Sequence, residues 1–171
     1  NTGDAKREKE CNRIDEILNK QDGSTVPVKA KVTSIYGDGS RNRALLVTET
    51  GLKLLLFCKR WSYDFIENLK DVTSVGEEIE VVIYSRNFVN DEADYLASRI
   101  DLLPNPWEDI QNRFHKGDIV VCRVVKKMKG MFAGRLDAVE GIVALVDSPK
   151  DMNLKITIGE RYLCRVSAVY E

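Results

Sequence analysis

Apolar positions change their period along the chain. Between Asp4 and Lys20, Cys11, Ile14, Ile17 and Leu18 recur at helical spacing among charged residues, the pattern of an amphipathic helix with one narrow apolar stripe. A helix of that length is marginal in water by itself, so it is expected to dock on a domain or a partner. Gln21-Asp22-Gly23-Ser24 ends it. From Val26 the period becomes two. Val28, Ala30 and Val32 alternate with Pro27, Lys29, Lys31 and Thr33, which predicts a strand with one buried face. Gly37-Asp38-Gly39-Ser40 turns the chain into a second strand over 43–48, and Glu49-Thr50-Gly51 into a third over 52–58. Phe65, Ile66 and Leu69 then share a helical face, with Ser62 as the N-cap. Ile79, Val81 and Ile83 mark a fourth strand, and Tyr95 to Leu103 form a fifth after a polar loop.

Pro104-Asn105-Pro106-Trp107 punctuates the chain, a short helical stretch runs to Phe114, and the pattern begins again. Strands are predicted around Val120-x-Cys122-x-Val124, over 131–136, over 139–146 and from Arg161 through Val166. Val75-Gly76-Glu77-Glu78-Ile79 aligns with Ile158-Gly159-Glu160-Arg161-Tyr162, and Val28-x-Ala30-x-Val32 with Val120-x-Cys122-x-Val124. Such self-similarity marks an internal repeat. Five short strands with a helix between the third and fourth is the order of an OB-fold. The expected fold is therefore all-β: two tandem five-stranded OB-fold barrels, a short N-terminal helix over 1–23, a first barrel over 24–104 and a second over 105–171. Small residues at the centre of each opening strand suit the crowded wall of a narrow barrel, which makes Cys122 and Cys164 core residues.

Composition narrows the function classes. Lys and Arg number 26 against 27 Asp and Glu, a net charge of −1, which argues against a basic protein that coats nucleic acid. Residues 24–104 carry ten basic and twelve acidic side chains, whereas residues 105–171 carry eleven and nine. No apolar run is long enough to span a bilayer, so no membrane association is expected. The start lacks both an initiator Met and the apolar stretch of a signal peptide, as expected of an internal or processed start. Cys11, Cys58, Cys122 and Cys164 are widely spaced, with no CxxC pair and only His115 to join them. Reduced cysteines in a cytoplasmic protein, with no metal, are the expectation. No P-loop, GxSxG, HExxH or dinucleotide fingerprint occurs, so neither catalysis, a cofactor nor a small-molecule substrate is expected.

Several segments together resemble the S1 RNA-binding domain family. Lys116-Gly117-Asp118-Ile119-Val120-x-x-Arg123-Val124 looks like the family's opening strand, and Gly130-Met131-Phe132-Ala133-Gly134 stands where the family has a Gly-aromatic-Phe-Val stretch. Val139-Glu140-Gly141-Ile142-Val143 resembles its Val-Glu-Gly-Leu-Val segment, and Ile158-Gly159-Glu160 its Val-Gly-Asp/Glu before the fourth strand. The departures are Ala144-Leu145-Val146, where the family often has His and Ser, and Arg43-Ala44-Leu45-Leu46-Val47, which lacks the aromatic motif in the first copy. The second copy also reaches Tyr170-Glu171 before a fifth strand is apparent.

The resemblance implies a non-catalytic module that binds single-stranded RNA with little sequence preference, chiefly through the second copy. OB-folds hold single strands on strands two and three and the adjoining loops, with aromatic rings for bases and cations for phosphates. Phe132 is the candidate stacking residue, with Lys126, Lys127, Lys129, Arg123 and Arg135 as phosphate contacts. The alternative places Phe132 inside the barrel and leaves the lysines as a solvated loop. In the first copy, Tyr36 and Arg43 are the candidate contacts, while Phe57 and Trp61 are expected to cap the barrel. A rival reading is a protein-interaction module that docks on the ribosome, on RNA polymerase or on its own longer chain. A third is the accessory RNA-binding part of a nuclease or translation factor.

Overall fold

The computed structural model describes residues 2–20, 22–64, 66–138, 143–147 and 155–169. They fall into two units, Asn1–Ser62 with Ile66–Pro104, and Tyr63–Phe65 with Asn105–Glu171.

The first unit opens with helix α1 (Thr2–Leu18) and continues with strands β1 (Val26–Tyr36), β2 (Arg43–Thr48), β3 (Lys53–Phe57), β4 (Glu78–Arg86) and β5 (Tyr95–Ser98). The strands close into a barrel in the order β1-β2-β3-β5-β4. Four of the five pairings are antiparallel, and β3–β5 is parallel. The expected alternation holds along β1: Ala30 and Val32 are buried and Val28 is half-buried against the core, while Pro27, Lys29, Lys31 and Thr33 are exposed. A bulge between Val32 and Ser34 then shifts the register against β2, bending the strand as barrel closure requires. Ala44, Leu46, Leu54, Leu56, Val81, Ile83 and Ala97 fill the interior; burying each larger aliphatic side chain is worth roughly 2 kcal/mol.

Helix α1 docks on this barrel. Ile14 is fully buried in the core cluster, and Cys11, Ile17 and Leu18 pack against it. Polar contacts flank the stripe. Arg7 meets Asp94 at 3.0 Å, the Thr50 hydroxyl donates to Glu10, and Asp15 accepts from Arg86 Nε at 2.9 Å and from the Tyr95 hydroxyl at 2.8 Å.

The helix expected between the third and fourth strands is replaced by two short 3-10 turns, Cys58–Arg60 and Leu69–Asp71. The physical reason lies in asparagine. Asn68 Oδ1 accepts from the Lys70 N–H at 2.9 Å, and the Leu69 N–H is taken by Asn42 Oδ1 at 2.8 Å, so side-chain acceptors satisfy donors that an α-helix would otherwise pair. Phe65 lies outside the described residues. The fifth strand also stops early, at Ser98, and Ile100–Leu102 is a 3-10 turn.

The second unit comprises helix α2 (Trp107–Arg113) and strands β6 (Ile119–Met128), β7 (Met131–Leu136), β8 (Val143–Asp147) and β9 (Arg161–Arg165). They form a four-stranded antiparallel sheet in the order β8-β7-β6-β9. This is the order of β3, β2, β1 and β4 in the first unit. Residues 139–142, which carry most of the Val-Glu-Gly segment, lie outside the described residues. The repeat is visible in hydrogen bonds. Gly76 N–H donates to Val32 O at 2.7 Å, and Gly159 N–H donates to Val124 O at 2.7 Å. Both glycines hold a positive φ, 97° and 95°, which glycine alone adopts without strain. The bulge recurs too, between Val124 and Lys126.

Candidate nucleic-acid interface

Register decides which candidate side chains share a face, because residues paired across an antiparallel ladder point the same way. In the second unit, Val124 pairs with Gly134, and after the bulge Lys126 pairs with Ala133 and Lys127 with Phe132. Phe132 and Gly134 therefore lie on one face of β7, and Ala133 and Arg135 on the other. A Cβ added to Gly134 would meet Cys122 Cβ at 3.3 Å and Val146 Cγ2 at 3.4 Å, so the Phe132 face is the one packed around Cys122. Phe132 itself is only 8% exposed. Its counterpart by register in the first unit is Ala44, an interior residue.

The candidate cations divide accordingly. Lys127, exposed near the end of β6, is the cross-strand partner of Phe132, and Lys129 stands exposed beside Gly130 in the turn. Lys126 belongs to the opposite face with Arg123 and Arg135, and those two arginines are direct cross-strand partners. Arg135 lies 3.2 Å from Asp64, which clusters with this unit. Cys122 is buried, and that burial, reinforced by the nearby Cys164, pushes its thiol up to about 12. It is an inert core thiol at neutral pH.

In the first unit, Tyr36 and Arg43 pair across β1 and β2, and both are engaged by Glu92. Arg43 reaches the carboxylate through Nε at 2.8 Å and Nη2 at 2.6 Å, and the Tyr36 hydroxyl donates to it at 2.8 Å. The guanidinium also lies over the Tyr36 ring, 4.6 Å from its centroid. The hydrogen bonds from Arg43 and Tyr36 hold the Glu92 carboxyl below its ordinary range, and the same bond raises the arginine. This cluster ties the facing ends of β1 and β2 to the loop before β5. Sequence reasoning named two of its members and missed Glu92, which lies 49 positions from Arg43.

Two further residues escaped the sequence. Asn42 is fully buried. It donates from Nδ2 to Gly37 O at 3.0 Å while receiving the Leu69 N–H, so it pins the loop after β1. Phe88 is 84% exposed beside Val89, in a turn built by Asn87, whose Oδ1 accepts from the Val89 and Asn90 N–H groups. An aromatic residue inside a polar loop was the signal available for it. Trp61 is buried in the core cluster under Arg99, whose guanidinium lies 4.3 Å from the ring centroid, and Phe57 is half-buried. His115 is exposed, with Nδ1 3.8 Å from Asp118. Among the described residues no group of three or more His, Cys, Asp or Glu side chains is placed to hold a metal ion, and no helix is long and apolar enough to cross a membrane.

No protein-family model matches the chain. Individual relatives do. The small ribosomal subunit protein bS1 of Staphylococcus haemolyticus is 30% identical over 118 residues, which is 68% of this chain and 28% of that protein. The bS1 protein of Staphylococcus saprophyticus is 28% identical over 131 residues, 75% of this chain and 31% of the relative. That of Staphylococcus epidermidis is 30% identical over 95 residues, 54% of this chain and 24% of the relative. The chain thus matches about a third or less of each relative's length. These alignments, the closed five-stranded barrel and the repeated glycine turn agree on one ancestry, and the chain belongs to the S1-like domain family.

Proposed function

We propose that the chain is a non-catalytic RNA-binding module that holds single-stranded RNA with little sequence preference, chiefly through its second unit. The observation that carries this reading is the cation set of β6, β7 and their turn: Arg123, Lys126, Lys127, Lys129 and Arg135 within one hairpin. Backbone phosphates supply most of the affinity of such modules, and cations supply little sequence information. Phe132 serves as the packed floor under Lys127 rather than as a stacking platform. The second unit is read as a barrel of the first unit's topology, because its order reproduces strands three, two, one and four. Domain limits of 24–104 and 105–171 follow from the same repeat, and the family's ribosomal members make the ribosome the natural setting. Fluorescence anisotropy with labelled oligo-U across a salt series tests the reading. Affinity that weakens steeply with salt supports it, and no binding at low salt overturns it.

A second reading is carried by Phe88 and Val89, which are 84% and 72% exposed. Apolar side chains held out by a hydrogen-bonded turn suit a protein contact, and the first unit's acidic balance suits RNA less well. In this reading the first unit docks on a ribosomal protein surface while the second holds RNA. Co-sedimentation with purified ribosomal subunits tests it: Phe88→Ser with Val89→Ser should lower the bound fraction without changing affinity for oligo-U.

A further inference from the structure

The repeat supplies an internal comparison between the outer faces of the two units. In the first, β1 and β4 alternate charge across the ladder: Lys29 pairs with Glu80 and Lys31 with Glu78. Val47 continues the Lys31 row on β2. In the second unit the corresponding pairs are Val121 with Leu163 and Arg123 with Arg161, and Arg135 continues the row on β7. A neutral, cross-paired face has become three arginines in register across three strands, beside Leu163 at 77% exposure.

Like charges placed directly opposite each other destabilise a sheet, so this row works against folding. Two of its members are offset at the surface. Arg161 meets Asp137 at 3.0 Å, and Arg135 meets Asp64 at 3.2 Å. Among the described residues Arg123, at the centre, makes no ion pair. Lys126 lies on the same face one step along, and Arg165 shares the face on β9. The Arg161–Asp137 pair is exposed on both sides, and such pairs are weak, so a phosphate can replace Asp137 at little cost, and the arginine fork matches two phosphate oxygens at once.

From this comparison we infer that the Arg161–Arg123–Arg135 row is a track for the phosphates of single-stranded RNA. The track lies on the face opposite Phe132 and includes Arg161, which the hairpin alone would not have suggested. The inference rests on the RNA-binding reading above and assigns that reading a face of the sheet.

The test uses the full chain, labelled oligo-U and a poly-glutamate competitor. Arg123→Gln with Arg161→Gln should weaken RNA binding at least about tenfold and flatten the salt dependence by roughly 1.4 in log–log slope, as expected for two lost contacts to a single strand. The same variant should melt no lower than wild type, because it relieves a like-charge pair. Lys31→Gln with Glu78→Gln, the matching row in the first unit, should leave RNA affinity within about twofold. Wild-type binding that survives the arginine variant unchanged overturns the track and leaves the RNA reading standing. A wild type that does not bind RNA overturns both. Poly-glutamate that displaces RNA at matched length and charge would make the row a site for acidic protein segments and overturn the RNA assignment.

Discussion

Arg43 at the start of β2 grips Glu92, in the loop before β5, through two nitrogens at 2.8 and 2.6 Å. The same carboxylate receives the Tyr36 hydroxyl. A bidentate pair of this kind fixes geometry as well as charge, and it leaves Arg43 committed within its own unit. Arg43→Ala is therefore expected to change oligo-U affinity by less than about twofold, measured by anisotropy. A loss of tenfold or more would show that Arg43 leaves Glu92 to meet RNA.

The same pair makes stability depend on acidity. Glu92 titrates below its ordinary value of 4.5, first because Arg43 and then because Tyr36 donate to the charged form. Its contribution is present above that ordinary value and disappears as pH falls through the lowered one. Glu92→Gln should lower the melting temperature at pH 7 by a few degrees, corresponding to about 1 kcal/mol for a partly exposed pair. The gap should close toward pH 2. A gap that persists unchanged at pH 2 would count against the ion pair.

Phe132 separates packing from recognition. It is buried on the face shared with Cys122 and Gly134, so Phe132→Ala should cost about 3 kcal/mol or more in urea unfolding. Phe132→Leu should recover most of that stability, with oligo-U affinity within about twofold of wild type. A stable Leu variant that lost RNA binding would restore Phe132 as a stacking residue.

How far the sequence could be read differs between these elements. The period-two strands, the docking helix and the repeated Gly-Glu segment ahead of the fourth strand were legible, because each is written in local alternation or local identity, whereas the positive φ of Gly76 and Gly159 emerged only with the fold. The helix at 65–69 was misread because its competing acceptors, Asn42 and Asn68, act through side chains that periodicity does not register. The bulge between Val124 and Lys126 was equally invisible. One extra residue moves Lys126 to the face of Arg135 and sets Lys127 opposite Phe132, which splits a set of cations that looks continuous in sequence. Glu92 and Asn42 matter only through partners brought close by barrel closure.

Asn42 offers a test of the loop it pins. Its removal would leave the Leu69 N–H and the Gly37 carbonyl without their partner inside the protein. Asn42→Ala is expected to cost about 2 kcal/mol in urea unfolding. Gly37→Ala should be destabilising as well, since the added Cβ would sit 2.2 Å from Arg41 O at a φ of 81°. A neutral result for both would remove the loop from the stability of the barrel.

Docking of α1 should also respond to acid. Burial raises the Asp15 pKa, but hydrogen bonds from Arg86 and Tyr95 outweigh it, and the net shift is downward from 3.8. The tie is present at neutral pH and lost as pH falls through the lowered value. Asp15→Asn should speed amide exchange in α1 at pH 7 by severalfold, with β1 and β4 unaffected. Equal exchange in variant and wild type would leave the apolar stripe alone to hold the helix.

The most direct measurement is an amide NMR titration of the full chain with oligo-U. Shifts concentrated in residues 119–136 and 161–165, with Tyr36, Arg43 and residues 87–94 unmoved, are the expected result. Shifts concentrated around Tyr36, Arg43 and Glu92, with the second unit silent, would contradict the assignment of RNA binding to the second unit.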